Sequence, residues 1–398
     1  MRSRLLLSVL SITTMAFTSC SSDDDGANLG YEIPESYTFE RAGSSTVSYG
    51  GQSTRILMLD ELRAYLKTQD NWPLDANRVS NMYSNTDAPF ESADLNEATS
   101  KQLKSKTAAS RDYFVNLNGG GSTAEQVAVR QQFENWLSAA AEASVNGANA
   151  VNAEPGFAGI ADGSRLVDGN GLEIEQVMAK GLMGAVFVDQ ILNNYISGAV
   201  LDEASNVANN DNAVLEEGEL YTTMEHKWDE AYGYIYGAGG GKYWDSYISQ
   251  VDADSDFSGV RAAIDEAFIA GRAAIVNGDY EERDRQAAII KENLSLVVAV
   301  RAVHYLQSGK ESLVPDATAA FHALSEGYGF ILSLRYTQNP SSEAPYLSKE
   351  DVDGMLETLL GGTNGFWDVD HLNDNLDVIS QKIAEAFGFT VEAAAISE

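Results

Sequence analysis

The sequence predicts an all-α protein: a helical bundle of two related halves, preceded by a short extended N-terminal segment. Apolar residues recur every three or four positions along most of the chain, which is the spacing of one helix face. Loops rich in Gly, Asn and Asp separate these stretches, for example at residues 146–168 and 364–375. The pattern His-x-x-x-Glu-x-Tyr-Gly-aromatic-Ile occurs at residues 226–235 and again at 322–331, which favours two related halves.

The first residues have the features of a secretory signal peptide. Arg2 and Arg4 precede an apolar run over residues 5–17, and small residues follow up to Cys20. The run is too short to span a bilayer, so we expect residues 1–19 to be removed. Cys20 is the single cysteine, and residues 17–20 resemble a bacterial lipobox, in which the cysteine is lipidated. The alternative is an ordinary cleavage site followed by a free thiol.

An acidic linker at residues 20–30 follows the predicted cleavage site, and residues 23–25 are all aspartate. This stretch resembles the acidic surface-export signal of some Gram-negative lipoproteins. We therefore expect a lipid-anchored protein of the outer membrane, displayed at the cell surface, because several acyl chains make anchoring stable. One helical domain is predicted over 31–388, with halves at about 55–200 and 215–388 and a C-terminal tail at 389–398.

The chain is strongly acidic, with a formal net charge of −33. Cleavage before Cys20 would leave 59 acidic residues against 24 basic ones, or −35. Binding of nucleic acid needs clusters of Lys and Arg, so this composition excludes nucleic acid as a partner. The 44% hydrophobic content allows a sizeable core, and the 18 Tyr residues argue against a disordered chain.

The individual elements follow from local patterns. Extended residues at 37–49, followed by Gly50 and Gly51, predict a hairpin that turns at the two glycines. Ser122 and Glu125 have the spacing of a capping box, which starts a helix. Apolar spacing and end signals predict helices at 56–66, 122–144, 172–196, 215–236, 260–276, 280–307, from Pro315 through His322, at 348–361 and at 376–387.

The repeated pattern contains the candidate functional residues. On a helix, His226, Asp229 and Glu230 share one face, and His322 and Glu326 share the matching face of the second copy. If the two faces meet inside the bundle, these five side chains converge on a metal site. Nitrogen and oxygen ligands of this kind suit Fe, Zn or Mn. The alternative is purely structural, because His–Glu pairs four apart stabilise helices and a nearby glycine lets helices cross closely.

Other residues that carry chemistry favour structural roles. His304 is expected to be packed and His371 to be solvated. The acidic residues at 252–259 lack the Gly and Glu that an EF-hand needs at its sixth and twelfth positions, so we expect a capped loop without calcium. Tyr243 and Trp244 would stack on a sugar ring if they were exposed, which gives a glycan-binding alternative.

Known catalytic motifs are missing from the sequence. It contains no His-Glu-x-x-His, no Gly-x-Ser-x-Gly and no Walker loop. Because Cys20 is committed to the anchor, no catalytic thiol is left. We therefore expect a binding protein and not an enzyme. Hydrolysis by a bound metal is the remaining enzymatic alternative, and it would need a general base near an open coordination position.

Around His322 the chain resembles imelysin-like proteins, whose motif is Gly-x-His-x-x-Glu within a Gly-Phe-His-Ala-Ile-Glu context. Here residues 320–324 read Ala-Phe-His-Ala-Leu, so Ala320 stands in the place of the Gly. Glu326 falls one position after the Glu of the motif. In the first copy only His226 matches, with Asp229 in the place of the Glu.

This resemblance implies a periplasmic or surface helical bundle of two related halves, linked to bacterial iron uptake, in a family once classed as metallopeptidases. Residues 37–66 also resemble an uncharacterised family of bacterial lipoproteins with the same layout. We therefore expect a surface lipoprotein that binds a divalent metal, iron, haem or a siderophore, with an outer-membrane transporter as a possible partner. The alternative is a lipid-anchored glycan- or protein-binding module in which the His/Glu pattern is structural.

Overall fold

The computed structural model describes residues 29–112, 123–313 and 317–395. The predicted signal peptide and Cys20 lie outside these residues. The chain divides after Glu32 into two units, and the second unit, from Ile33 onward, contains the elements given below. No helix among the described residues combines the length and apolar character that crossing a membrane requires.

Within the described residues the second unit consists of fifteen α-helices and two short hairpins, which confirms the predicted all-α class. The helices are α1 Gly50–Lys67, α2 Ala76–Ser84, α3 Ala93–Glu97, α4 Ala124–Ala148, α5 Ile174–Leu182, α6 Gly198–Leu201, α7 Asn206–Asp211, α8 Thr223–Tyr236, α9 Trp244–Asp252, α10 Val260–Asn277, α11 Tyr280–Ser312, α12 Ala317–Leu334, α13 Lys349–Leu359, α14 Val369–Phe387 and α15 Val391–Ala395. The antiparallel strands are β1 Glu40–Arg41 with β2 Ser44–Ser45, and β3 Gly159–Ala161 with β4 Arg165–Val167.

Helix α11 lies at the centre of the bundle, packed between α10 and α12. Helix α12 also contacts α5 and α13, whereas α8 contacts α1 and α10. After α5 the chain continues through two π-helical stretches, Met183–Val188 and Ile191–Tyr195, where the prediction had one continuous helix. Every residue from 171 to 197 is buried, so this segment runs through the core, and the charged residues within it, among them Lys180 and Asp189, are buried too.

The predicted position of the first hairpin turn is wrong. Strands β1 and β2 turn at Ala42 and Gly43, which both have positive φ, as a two-residue hairpin turn of this kind requires. Gly50 and Gly51 instead form the first turn of α1. The two glycines therefore start a helix, and the hairpin is shorter than predicted.

Several helix ends also differ from the prediction; for example, α1 starts at Gly50 and α14 at Val369, both earlier than predicted. Helix α8 starts at Thr223 and not near 215, because Thr222 caps it in a capping box with Glu225. Helix α11 continues through Gly309 to Ser312. Thr123, not Ser122, caps α4, and Ser122 lies outside the described residues. The helix start predicted at Ser348 is confirmed, and Ser348 forms a capping box with Asp351 there.

Candidate functional site

The two copies of the repeated pattern lie on α8 and α12, and each helix packs against different neighbours. Helix α8 contacts α1 and α10, whereas α12 contacts α5 and α11. The five predicted ligands are divided between two polar clusters, called here the α8 cluster (His226, Asp229 and Glu230) and the α12 cluster (His322 and Glu326). In the part of the chain that the structure describes, no group of three or more His, Cys, Asp or Glu is placed to hold a metal ion.

Asp229 of the α8 cluster is fully buried and bound by three donors. It accepts hydrogen bonds from the Tyr37 hydroxyl at 2.7 Å, the Ser48 backbone N–H at 3.2 Å and the Arg272 Nε at 3.0 Å. Burial raises the pKa of Asp229 to about 6, although Arg272 and Tyr37 oppose this rise. These contacts hold the extended segment before α1 against α8, so Asp229 acts as a structural link between distant parts of the chain.

Glu230 and His226 also have partners within the protein. Glu230 accepts hydrogen bonds from the Lys227 ammonium at 2.7 Å and from the Gln52 amide at 2.9 Å. The His226 ring stacks on Tyr221 with centroids 4.6 Å apart, and burial lowers the pKa of His226. A protein cation therefore already lies beside the Glu230 carboxylate, where a metal ion would have to bind.

His322 of the α12 cluster lies between two carboxylates. Its Nδ1 is 2.7 Å from Oε2 of Glu173, and its Nε2 is 3.7 Å from Oε2 of Glu326. The other oxygen of Glu326, Oε1, is 2.9 Å from the ammonium of the buried Lys180. Burial alone would lower the pKa of His322, but the hydrogen bond and charge of Glu173 together with the charge of Glu326 outweigh it, and the pKa is raised.

His322 and Glu173 line a cavity of about 530 Å³. Arg165, Glu175 and Gln176 line the same space. This volume is typical of small-molecule sites in proteins, which span about 300–1,000 Å³. His322 is therefore accessible to a ligand, because its side chain is about one-third exposed, whereas Glu326 is buried behind it.

The glycines of the pattern mark two close helix crossings. A Cβ added at Gly233 would collide with the Tyr49 side chain at the start of α1. A Cβ added at Gly329 would lie 2.5 Å from Cβ of Lys180 in α5. The same position in both copies thus lets the pattern helix approach a neighbour, which is the structural alternative stated from the sequence.

A second glycine contact recurs two residues after each histidine of the pattern. Trp228 fits against Gly271 of α10, and Leu324 fits against Gly309 of α11. A Cβ at Gly309 would lie 2.5 Å from Leu324 Cδ2, and one at Gly271 would overlap the Trp228 ring. These two glycine notches give each pattern helix a second close contact, although the residues that fill them, Trp228 and Leu324, differ between the copies.

Tyr243 and Trp244 are buried, which rules out the alternative in which these two rings are exposed and stack on a sugar. Tyr243 is 7% exposed and Trp244 is not exposed at all. The indole N–H of Trp244 donates to the backbone carbonyl of Met183 at 3.1 Å, which ties the ring into the core. Both rings follow the glycine run 239–241, whose positive φ values turn the chain inward.

The other histidines have backbone partners. His304 is half-buried, as expected, with Nδ1 3.2 Å from the carbonyl of Ala395. The prediction that His371 is solvated is wrong. Its side chain is half-buried, and its Nε2 lies 2.6 Å from the carbonyl of Thr358. Neither histidine belongs to the α8 or the α12 cluster.

The acidic loop at 252–259 is capped as predicted. The Asp252 carboxylate accepts hydrogen bonds from the backbone N–H of Gly259 at 2.8 Å and of Arg261 at 3.0 Å. Asp254 accepts from the N–H of Asp256 at 2.9 Å. These carboxylates thus bind the backbone of their own loop and the start of α10.

Three residues that contact the two clusters were not predicted from the sequence: Glu173, Lys180 and Arg272. Each is a charged residue in or next to a strongly apolar helix, and each is less than one-tenth exposed. Charged side chains are seldom buried without a partner of opposite charge. An isolated charge within an apolar helical stretch was the signal that could have identified them.

Comparison with known proteins places the chain in a family but assigns it no activity. No curated protein and no solved structure matches it. Residues 34–390 match the sequence profile of a family described as a domain of unknown function, DUF4856. The resemblance to imelysin-like proteins stays a prediction. Since the match covers nearly all of the helical unit, the chain belongs to the DUF4856 family.

Proposed function

We propose that this protein is a lipid-anchored surface protein that binds a metal-bearing ligand, such as an iron complex, at His322. The observation that carries the proposal is the position of His322, whose ring lies between two carboxylates and lines a cavity of about 530 Å³. The proposed role is capture of the ligand without turnover, with an outer-membrane transporter as the partner that receives it.

The contact with Glu173 prepares His322 for this role. An ionised carboxylate only accepts hydrogen bonds, so the Nδ1 atom 2.7 Å away carries the ring hydrogen in the neutral imidazole. The lone pair then lies on Nε2, the nitrogen nearer to Glu326. Histidines that ligate metals in proteins are commonly oriented by a carboxylate on their other nitrogen in this way.

Nε2 of His322 and Oε2 of Glu326 can reach the same ion. They lie 3.7 Å apart. Metal bonds to His nitrogen and carboxylate oxygen are each about 2.1 Å long, so the two bonds together span this separation. Glu173 would remain the group that orients the histidine, and the ion would supply a point of attachment for the rest of the ligand.

Two protein ligands suit a metal that arrives already chelated. Stable protein sites for a bare ion commonly use at least three protein ligands, whereas a chelated ion needs only its free positions filled. The Lys180 ammonium at the other oxygen of Glu326, and Arg165 in the cavity wall, oppose a bare cation. They favour a complex whose chelating groups carry negative charge, which is the chemistry of many iron chelates.

The test is titration of the mature protein with ferric nitrilotriacetate, because this tetradentate chelate leaves two positions on iron for protein ligands. Calorimetry should show one site in the wild-type protein, and His322→Gln should weaken binding at least tenfold. His226→Gln is the matched control, since it removes the equivalent histidine of the first copy, and it should bind like the wild type. Nitrilotriacetate without iron should not bind.

Two results would overturn the proposal. One is the absence of saturable uptake of the ferric chelate by the wild-type protein. The other is equal affinity in His322→Gln and His226→Gln, which would mean that the α12 cluster is not involved. The circular dichroism spectrum of each variant should match the wild type, so that a loss of binding is not a loss of folding.

A further inference from the structure

Basic side chains gather on the α1 side of the α8 cluster, although the chain has only 26 basic residues against 59 acidic ones. Four of them lie in two pairs, one at Gly51 and one at Tyr195, and the amide of Gln52 connects the two places by donating to the Tyr195 hydroxyl at 3.4 Å. This basic cluster consists of Arg55, Lys101, Lys106 and Lys227.

Two members of the basic cluster meet at the Tyr195 ring. The Lys106 ammonium donates a hydrogen bond to the Tyr195 hydroxyl at 3.0 Å and lies 5.2 Å from the ring centroid. The Lys227 ammonium lies 5.6 Å from the same centroid. The ring therefore brings two like charges close together, which is unfavourable unless a negative group lies nearby.

The other two members meet at Gly51. A Cβ at this position would lie 3.4 Å from the Lys101 ammonium and 3.5 Å from Nη1 of Arg55. Arg55 is 5% exposed and donates to the backbone carbonyls of Gly51 at 3.1 Å and Gln102 at 3.0 Å. Its guanidinium is thus fixed in place by neutral groups that do not cancel its charge.

Carboxylates do not balance this cluster within the described residues. Only Lys227 has one at ion-pair distance, Glu230 at 2.7 Å. Arg55, Lys101 and Lys106 pair with no carboxylate of the described chain. The nearby Glu203 is already paired with Arg111. Lys101, Lys106 and Lys227 are half-buried, and burial together with Arg55 lowers the pKa of Lys106 to about 8.

We propose that the basic cluster binds a small oxyanion of the phosphate or sulfate class, at a site separate from His322. Four cationic groups against one carboxylate leave about three uncompensated positive charges, which a multiply charged anion would neutralise. Guanidinium and ammonium donors form their strongest hydrogen bonds with such oxyanions. Partial burial strengthens the attraction, because less water screens these charges.

Calorimetric titration of the mature protein with inorganic phosphate and with sodium sulfate, at low ionic strength and pH 7, tests this site. We expect one saturable site, and Lys106→Met should weaken phosphate binding at least tenfold. Lys104→Met is the matched control, since Lys104 lies two residues away and its ammonium pairs with Glu134. It should bind phosphate like the wild type.

Thermal unfolding gives a second readout that also reports folding. Phosphate should raise the midpoint of the wild type and of Lys104→Met but not that of Lys106→Met. Without phosphate, Lys106→Met should unfold at a higher temperature than the wild type, because an uncompensated charge is gone. If Lys106→Met does not fold, Lys101→Met takes its place.

Three outcomes would overturn the proposal. The first is no saturable uptake of phosphate or sulfate. The second is equal phosphate affinity in the Lys106→Met and Lys104→Met variants. The third is an equal stabilising effect of sodium chloride at matched ionic strength, which would mean general screening of charge and no defined site.

Discussion

The guanidinium of Arg272 lies 3.0 Å from the carboxylate of Asp229, and neither side chain is exposed to solvent. The same guanidinium lies 3.1 Å from Glu225 and donates to the Thr46 hydroxyl at 3.1 Å. One buried cation thus joins two carboxylates of α8 to α10 and to the extended segment before α1. The contact also explains why Asp229 is bound within the protein and is not free for a metal.

Replacing Arg272 with Met should be strongly destabilising. The change leaves the buried Asp229 without its cation and leaves Glu225 with Arg41 alone. Breaking a buried pair in this way costs about 3–5 kcal/mol. Urea unfolding measures the loss. Lys382→Met is the control, because Lys382 is 45% exposed and pairs with Asp351, which is 41% exposed, and an exposed pair is worth at most about 1 kcal/mol. Losses of equal size in the two variants would contradict this role of Arg272.

Adding a methyl group at Gly329 should destabilise the crossing of α12 and α5. The new Cβ would lie 2.5 Å from Cβ of Lys180 and 3.1 Å from the backbone nitrogen of Gly181, neither of which can move without moving the helix. Overpacking of this kind costs about 1–3 kcal/mol. The free energy of unfolding in urea gives the measurement.

Gly354→Ala is the matched control for this crossing. Gly354 lies inside α13 and nothing lies within 4 Å of its added Cβ. Alanine is the better helix former by about 1 kcal/mol, so this variant should be as stable as the wild type or more stable. Equal effects of the two substitutions would show that the close approach at Gly329 is not limiting.

Replacing Asp189 with Asn should remove a pH dependence of stability. Asp189 is fully buried and accepts hydrogen bonds from the backbone N–H of Ala109 and Ser110, each at 2.9 Å, yet burial raises its pKa to about 6. The folded state therefore holds this proton more tightly than the unfolded state, whose pKa is about 3.8. Stability falls as pH rises from about 4 to about 6, by up to about 3 kcal/mol.

The comparison is the free energy of unfolding of wild type and Asp189→Asn at pH 4 and pH 7. Asn stays neutral, so the variant should be the more stable protein at pH 7 and should lack this fall. Asp351→Asn is a control of opposite sign, because Lys382 and Ser348 lower the pKa of Asp351 to about 2. That carboxylate stabilises above pH 4, and its contribution is lost as the pH falls. Parallel profiles for wild type and Asp189→Asn would refute the prediction.

Cys20→Ser should release the protein from the membrane. If Cys20 carries acyl chains, the wild type labels with palmitate and partitions into detergent, and the serine variant does neither. Fractionation of cells followed by immunoblotting measures the distribution. A thiol reagent that labels the wild-type protein at Cys20 would instead support the free-thiol alternative.

Features set by neighbouring residues could be predicted from the sequence. The helix start at Ser348 and the helix class depend on residues within a turn or two of each other, whereas each glycine crossing brings together residues that are far apart in the chain. The hairpin turn was misplaced because Gly50 and Gly51 suit both a turn and the first turn of a helix. The contact of Tyr49 with Gly233, which is distant in the chain, favours the helix start over the hairpin turn.

The partners within the two clusters could not be read from local patterns. Tyr37 and Arg272 lie 192 and 43 residues from Asp229 in the sequence, and Glu173 lies 149 residues from His322. The spacing of His and Glu on one helix predicts which side chains share a face. It does not predict that a lysine or an arginine from another helix will already occupy the place beside the carboxylate.

The two glycine notches bear on the ancestry of the repeated pattern. Gly271 lies in α10, which follows the first pattern helix, whereas Gly309 lies in α11, which precedes the second. A simple tandem duplication of a gene segment keeps its helices in the same order. The order differs between the two copies, so the notches do not belong to a repeated unit made of these two helices.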